Sequence, residues 1–419
     1  MVASRLVPAC GTDVPDGAGA DSDLKHRLRD LLACPECGSY PLDLTVLETE
    51  AAPRPEVRSP RCSLYCSFAS EPVSAGAGYA CGDCYSLEIL QAILHCDACR
   101  REFPVIDGVP RFNPDVRGDY PEFVARHATR FRYEAPSGAN VFEQLHAGTK
   151  RSFGFQWLRY RVTDHQENRD HFYRRTGTAP GELCNRLLFE AGCGMGRYLK
   201  VIAEEDGAEV VGLDLSLAVN RAFEENRASP FVHVVQGNLL QLPVRPSVFD
   251  LVYSIGVLHH TPDTKRAFLS VLRLLKPAGR ISVWVYHVWR PPELRGLKAA
   301  HATLKGLISD GLRRITTRLP LRVLHYLCYL AAPLGWVQSR IGSLPPPFRL
   351  LLSPFLLIPC SIHPQWRVRL LDTFDWYSPR YQWKHTVAEV AGWFREAGLT
   401  DIDTQGFPVS VRGTRPPAA

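Results

Sequence analysis

The chain predicts an α/β fold: a doubly wound, mostly parallel sheet with a small cysteine-rich module ahead of it and a helical insertion late in the sheet. Three observations carry this expectation. Between Leu187 and Tyr286, short apolar runs alternate with stretches whose apolar residues recur at helical spacing. The first run, Leu187-Leu188-Phe189-Glu190, leads into three glycines at alternate positions, Gly192, Gly194 and Gly196, and Tyr198 and Leu199 then open a helical pattern. Of 13 cysteines, eight fall between Cys34 and Cys99 in four close pairs.

At 419 residues the chain has room for two or three domains. With 45% apolar and 22% charged residues it has an ordinary globular composition, and a net charge of +6 permits an anionic partner without demanding one. Met1 to Ser22 is rich in Gly, Ala and Asp and has no apolar h-region, so it is read as a disordered tail rather than a secretory signal. A cytoplasmic setting then makes the cysteine pairs metal ligands rather than disulfides. The expected parts are a tail at 1–22, the cysteine-rich module at 23–112, a linker at 113–150, the core at 151–289, the insertion at 290–364 and the end of the core at 365–419.

In order, Leu24, Leu28, Leu31 and Leu32 predict a short helix. Cys34-Pro35-Glu36-Cys37 and Cys96-Asp97-Ala98-Cys99 are two C-x-x-C knuckles able to place four thiolates around a tetrahedral Zn²⁺. Between them lie Cys62, Cys66, Cys81 and Cys84, enough for a second zinc or else free thiols. Phe112 to Asn140 is polar and reads as linker. Ser152-Phe153-Gly154-Phe155-Gln156-Trp157 is an aromatic run that could anchor a helix on the core. After the glycine turn a helix runs to about Glu205. Strands follow at Glu209–Leu213, ending in Asp214, at Phe231–Val235, at Asp250–Tyr253 and at Ile281–Tyr286. The helix before the last strand is expected to start with Thr261 as N-cap and Pro262 at N1, with Phe268, Val271, Leu272 and Leu275 on one face and Lys276-Pro277-Ala278-Gly279 as its stop.

Arg290 to Pro364 is basic early and then strongly apolar, in two runs shorter than the roughly 18 residues of a spanning helix. It is read as a helical cap over the pocket whose apolar part lines an acceptor site or touches a membrane surface, the soluble cap being the favoured version. Leu371 to Thr386 mixes aromatics with Asp and His without a clean period and suits a pocket wall. Val387–Ala397 is an amphipathic helix, and strands at Leu399–Thr404 and Phe407–Val411 close the chain.

The Glu190-x-Gly192-x-Gly194-x-Gly196 spacing resembles the first motif of class I S-adenosylmethionine-dependent methyltransferases. A dinucleotide fingerprint would need a third glycine where Arg197 stands. Leu187 to Tyr286 most resembles the methyltransferase type 11 group, which carries a Leu-His-His-Thr segment like that at 258–261. The resemblance implies a Rossmann-like sheet and S-adenosyl-L-methionine held by Glu190, Gly192, Gly194, Gly196, Asp214 and Asn238. Asp214, 18 residues after Gly196, would accept the ribose hydroxyls; Asn238, where the family often has Asp, would meet the adenine. The knuckles and Phe103-Pro104-Val105-Ile106-Asp107-Gly108-Val109-Pro110 resemble the zinc-ribbon-like activator module of some tRNA and rRNA methyltransferases, with Cys34, Cys37, Cys96 and Cys99 as ligands.

His259, His260, Asp375 and His385 are the candidates for acid–base work beside the transferred methyl. The expected function is methyl transfer to a small-molecule or lipid-like acceptor, with peripheral membrane contact as a further expectation. Two alternatives stand beside it. One is a tRNA or rRNA methyltransferase gripping RNA with its zinc module, although Ser254-Ile255-Gly256-Val257 lacks the Asn/Asp-Pro-Pro-Tyr/Phe loop that holds a flipped base. The other is a non-catalytic cofactor-binding scaffold.

Overall fold

In the computed structural model, the described residues are 24–417 apart from 52–54, 56, 58–60, 75–78, 113–115, 133–138, 161–163, 291–292 and 405–408. The tail expected at 1–22 lies outside them. The N-terminal module runs β1 (Leu24–Lys25), α1 (His26–Arg29), β2 (Asp43–Ala51), β3 (Tyr65–Cys66), β4 (Glu71–Pro72), α2 (Cys81–Tyr85), β5 (Leu87–His95), β6 (Glu102–Ile106) and β7 (Val109–Pro110). Its centre is β5, paired antiparallel with β1, β2 and β6, while β3 and β4 form a separate hairpin. Leu28, Leu31 and Leu32 are buried as their spacing implied, although the helix itself is a single turn.

The segment read as linker carries helices: α3 (Val116–Asp119), α4 (Pro121–Arg126) and α5 (Ala139–Arg159), the last running through position 150, where linker and core were divided. The remainder comprises α6 (His165–Thr176), β8 (Leu187–Ala191), α7 (Arg197–Glu205), β9 (Glu209–Asp214), α8 (Ala218–Asn226), β10 (Val232–Gln236), β11 (Phe249–Ile255), α9 (Thr264–Leu272), β12 (Leu275–Trp284), α10 (Gly296–Thr316), α11 (Leu321–Gly342), α12 (Pro346–Leu351), α13 (Trp366–Tyr377), α14 (Val387–Glu396), β13 (Thr400–Thr404) and β14 (Ser410–Thr414). The large sheet has the order β10-β9-β8-β11-β12-β14-β13, with β14 alone antiparallel to its neighbours on both sides. Strands β8, β9 and β11 are buried along nearly their whole length, as parallel strands covered on both faces must be.

Two local expectations are corrected. The N-cap of α9 is Asp263, whose carboxylate accepts the Arg266 N–H at 2.9 Å, because the Thr261 hydroxyl is spent on Leu258 O at 2.7 Å. Leu275 and Lys276-Pro277-Ala278-Gly279 belong to β12 rather than to a helix and its stop. Prolines interrupt both apolar runs of the insertion in the sequence, yet helix α11 continues through Pro333 for 22 residues.

The N-terminal module is welded to the sheet. Arg111 bridges in parallel to Gln236, and Phe112 N–H donates to Gln236 O at 2.8 Å, so the module's tail extends the β10 edge. Beneath this, Arg27 reaches Glu209 at 3.0 Å and Asp30 at 2.7 Å, all three side chains buried. Arg27 and His233 hold the Glu209 carboxyl down to about 2 against the opposing pull of burial. Severing such a buried pair typically costs about 3–5 kcal/mol, so the module is a structural part of the core.

Candidate active site

The glycine turn between β8 and α7 takes left-handed backbone at each of its three glycines, φ being +86° at Gly192, +53° at Gly194 and +79° at Gly196. At Gly192 and Gly196 side chains are also excluded by packing. A Cβ at Gly192 would fall 2.3 Å from Val257 Cγ1, and one at Gly196 would fall 2.6 Å from Asn226 Nδ2. The turn is pinned by Asp214 at the end of β9. Gly194 N–H donates to its Oδ2 at 3.0 Å, while Ser216 N–H and hydroxyl donate to its Oδ1 at 2.8 and 2.7 Å. Burial raises the Asp214 carboxyl and these donors oppose it. The first-turn N–H groups of α7 have no intrahelical acceptor, and Arg197 stands at its first position.

Beyond the carboxyl ends of β8, β9, β11 and β12 lies a cavity of about 400 Å³. This is where the strand order reverses, the usual ligand crevice of an open α/β sheet. At one end it is lined by Glu190, Gly192, Gly194, Arg197 and Asp214. A smaller hollow of about 60 Å³ shares Gly192, Asp214 and Val257 with it and adds Ser216, Asn238 and His260. The Tyr253 hydroxyl donates to Glu190 Oε2 at 2.9 Å, yet burial dominates and pushes the Glu190 carboxyl up to about 8.

The far wall comes from α5 and α13. Helix α5 contributes Phe153, Gln156 and Trp157, part of the aromatic run seen in the sequence, and Trp157 packs on the glycine turn 3.0 Å from where a Gly194 Cβ would be. The stretch that had no clean period is largely α13, and it conceals two helical faces. Leu370, Phe374 and Tyr377 are buried against α11, while Val368, Leu371, Asp372, Asp375 and Trp376 line the cavity. Both faces carry aromatics, which is why the period was hidden. Asp375 accepts from Gln156 Nε2 at 3.0 Å and from the Tyr286 hydroxyl at 2.7 Å, and Tyr286 stacks on Trp376 with ring centres 5.4 Å apart. At the mouth, surrounding protein and the neighbouring Asp375 push Asp372 up to about 6, although the Ser361 hydroxyl donates to it at 2.8 Å.

The cofactor candidates Glu190, Gly192, Gly194, Asp214 and Asn238 are thus brought to the two joined hollows, and Gly196 closes the turn from behind. The four catalytic candidates divide. Asp375 lines the large cavity and His260 the small one. His260 Nδ1 lies 2.7 Å from Tyr381 O, which can only accept, so the ring is the Nδ1–H tautomer. Its Nε2 has no partner among the described residues, and burial lowers its pKa. His259 and His385 line neither hollow. His259 is wholly buried, 4.0 Å from the Tyr286 ring centre, and burial holds it neutral. His385 bonds Glu389 and Thr264, each at 3.0 Å, and so ties α14 to α9. Sequence reasoning passed over His171, which lines the cavity from α6 and is lowered to about 3 by burial and nearby arginines. It had no motif to signal it. Arg197 was visible only as the residue that spoils a dinucleotide fingerprint.

Cys34, Cys37, Cys96 and Cys99 converge, with all four sulfurs within 4.8 Å of one another. Zn–S bonds of about 2.3 Å set tetrahedral sulfurs roughly 3.8 Å apart, so the donor set fits. The knuckles are copies: Cys34 N–H donates to Ser39 O and Cys96 N–H to Arg101 O, both at 2.9 Å, and each turn ends in a left-handed residue, Gly38 and Arg100. No second group forms from Cys62, Cys66, Cys81 and Cys84. Among the described residues the first cluster alone brings three or more such ligands that close.

Residues 189–283 match the family described as Methyltransferase domain, and residues 25–108 match the family described as Trm112p-like protein. Over 175 residues the chain is 34% identical to 24-methylenesterol C-methyltransferase 2 of Oryza sativa subsp. japonica, covering 38% of this chain and 47% of that protein. It is 26% identical over 224 residues to cycloartenol-C-24-methyltransferase of Arabidopsis thaliana, covering 51% of this chain and 64% of that one. In both cases it spans less than two thirds of the relative. A solved S-adenosylmethionine-dependent methyltransferase from Mesorhizobium loti shares 25% identity, with a TM-score of 0.27, over 30% of this chain and 58% of that one. The chain therefore carries a methyltransferase-type domain at residues 189–283 behind a Trm112p-like module at residues 25–108.

Proposed function

We propose that this chain transfers a methyl group from S-adenosyl-L-methionine to a small-molecule or lipid-like acceptor. The observation that carries the reading is a single cavity joining the glycine turn and Asp214 at one end to Asp375, Tyr286 and Trp376 at the other. Bound there, the cofactor would supply an electrophilic methyl on a sulfonium. Asp214 would take the ribose hydroxyls with its remaining lone pairs, and Asn238 would meet the adenine from the smaller hollow. Arg197 and the N-terminus of α7 would hold the carboxylate. Asp375, fixed by Gln156 and Tyr286, faces the acceptor side. An acceptor gains positive charge as it is methylated, and a fixed carboxylate with aromatic faces beside it stabilises that charge. His260, with Nε2 free to accept, could take a proton where the acceptor must lose one. The sterol C-methyltransferase relatives support an apolar acceptor, since a sterol is such a molecule.

The test is transfer of labelled methyl from the cofactor to a lipid or small-molecule extract. Label that partitions into organic solvent and survives nuclease is the expected result. Label lost on nuclease treatment would shift the reading to RNA, and no transfer at all would leave the scaffold alternative.

For the module, the proposal is one Zn²⁺ held by Cys34, Cys37, Cys96 and Cys99. Metal analysis of unchelated protein should return one zinc per chain. Cys96→Ser should abolish it and lower the melting temperature, because metal binding to so small a module is folding free energy. A folded chain without metal would sink the idea, and two zincs per chain would show that Cys62, Cys66, Cys81 and Cys84 close on binding.

A further inference from the structure

Residues 290–364 hold ten Lys and Arg but only two Asp and Glu, a formal +8, so the rest of this +6 chain is net negative. The two long helices of this insertion are turned inside out. The buried residues of α10 are Ala299, Gly306, Ser309 and Arg313, and those of α11 include Cys328, Ala332, Gly335 and Gln338. Leu324 and Ile341 of α11 are buried, but most of the large apolar side chains of the two helices point outward. On α10 these are Leu297, Leu304, Leu307 and Ile315; on α11 they are Val323, Tyr326, Leu327, Leu330 and Val337, recurring at three, four and seven residues. Leu297 is 81% exposed and Leu330 76%.

Neither helix is able to roll these faces inward. A Cβ at Gly306 would sit 2.8 Å from Trp289, and one at Gly335 would sit 2.1 Å from Ser361 O, so the inward faces are closed by backbone-close packing. Arg313 donates to Pro379 O at 2.7 Å, and Trp376 Nε1 donates to the Ser309 hydroxyl at 3.0 Å, locking α10 to the cavity wall. No helix among the described residues is long and apolar enough to cross a membrane.

We propose that the outer face of α10 and α11 docks on an anionic lipid surface, the apolar stripes entering the interface and the exposed Lys298, Arg314, Arg318, Arg322, Arg340 and Arg349 meeting the headgroups. Charge selects this occupant. A second copy placed on the same face would set these six cations against six of its own, whereas an anionic bilayer complements both the charge and the apolar stripes. The docking face lies behind α13, whose other side lines the cavity, so a bound membrane would sit next to the acceptor wall. The inference rests on the exposed faces and not on the methyl-transfer reading.

The experiment is flotation of the full chain with vesicles of phosphatidylcholine, with and without phosphatidylserine. The wild type should float with the anionic vesicles and bind zwitterionic ones about tenfold less. Leu307→Asp with Leu330→Asp, and separately Arg314→Glu with Arg318→Glu and Arg322→Glu, should each reduce anionic binding by at least about tenfold while keeping the wild-type melting temperature, since all five side chains are exposed. A wild type that does not float, or flotation indifferent to both variants, overturns the proposal. So does a dimer by light scattering that the leucine variant dissolves, which would assign the face to a second copy.

Discussion

Asp214→Ala should weaken binding of S-adenosylhomocysteine by at least tenfold and lower the melting temperature of the unliganded chain as well. The first effect follows from removing the charged acceptor proposed for the ribose hydroxyls, worth about 1.5–3 kcal/mol. The second follows from what Asp214 already holds. Its carboxylate accepts from Gly194 N–H, Ser216 N–H and the Ser216 hydroxyl, so the truncation leaves three donors unserved beneath the glycine turn. Asp214→Asn separates the two roles. Its carbonyl oxygen keeps one side of that network, so the fold should recover most of its stability while the ligand still binds more weakly than to the wild type. Calorimetric titration measures the affinity and thermal melting the stability. Unchanged affinity in Asp214→Ala, with or without a change in melting, would remove the ribose role.

The residues most legible in the sequence were those whose role is written into local spacing. The glycine turn, Asp214 and the two knuckles are all set within a few residues of chain, and glycine at a left-handed position or C-x-x-C on a tight turn has few other uses. The central strands were legible for a related reason, because parallel strands buried on both faces give continuous apolar runs such as Leu187–Phe189 and Val210–Leu213. What stayed hidden depends on which way a helix faces. The stretch around Asp375 gave no period because α13 packs aromatics on one side and lines a cavity with aromatics on the other. His259 and His260 are neighbours with equal claims on paper, and only the direction of each ring separates them: one is enclosed beside Tyr286, the other opens on a hollow. His385 looked like a pocket residue by company, but both its nitrogens are taken by α9 and α14. The insertion showed the same limit. Its apolar residues were plain, and the outward orientation of most of them follows from glycines that pack tightly against distant residues, Trp289 and Ser361.

Glu190→Gln should stabilise the unliganded chain and weaken the cofactor, two changes of opposite sign from one substitution. Glu190 is buried, and the loss of solvent around it outweighs the Tyr253 hydrogen bond and the Arg197 charge, raising its carboxyl from about 4.5 to about 8. The folded state therefore holds a proton that the unfolded chain has already released. Stability from this group is fully present below pH 4.5 and is lost as pH rises toward 8, after which the loss levels off. Glutamine carries no such proton. Its advantage over glutamate should be near zero at acid pH, grow across that window and reach about 3 kcal/mol near neutrality. Binding runs the other way. S-adenosylmethionine carries a sulfonium and an ammonium, and a cation placed beside Glu190 favours its ionised form, so binding near pH 7 should release a proton and tighten as pH approaches 8. Calorimetry in two buffers of different ionisation enthalpy measures that proton, and thermal melting from pH 5 to 9 measures the stability. The same proton release in Glu190→Gln, or a variant less stable than wild type at pH 8, would mean that this carboxyl is neither the strained group nor the cofactor's counter-charge.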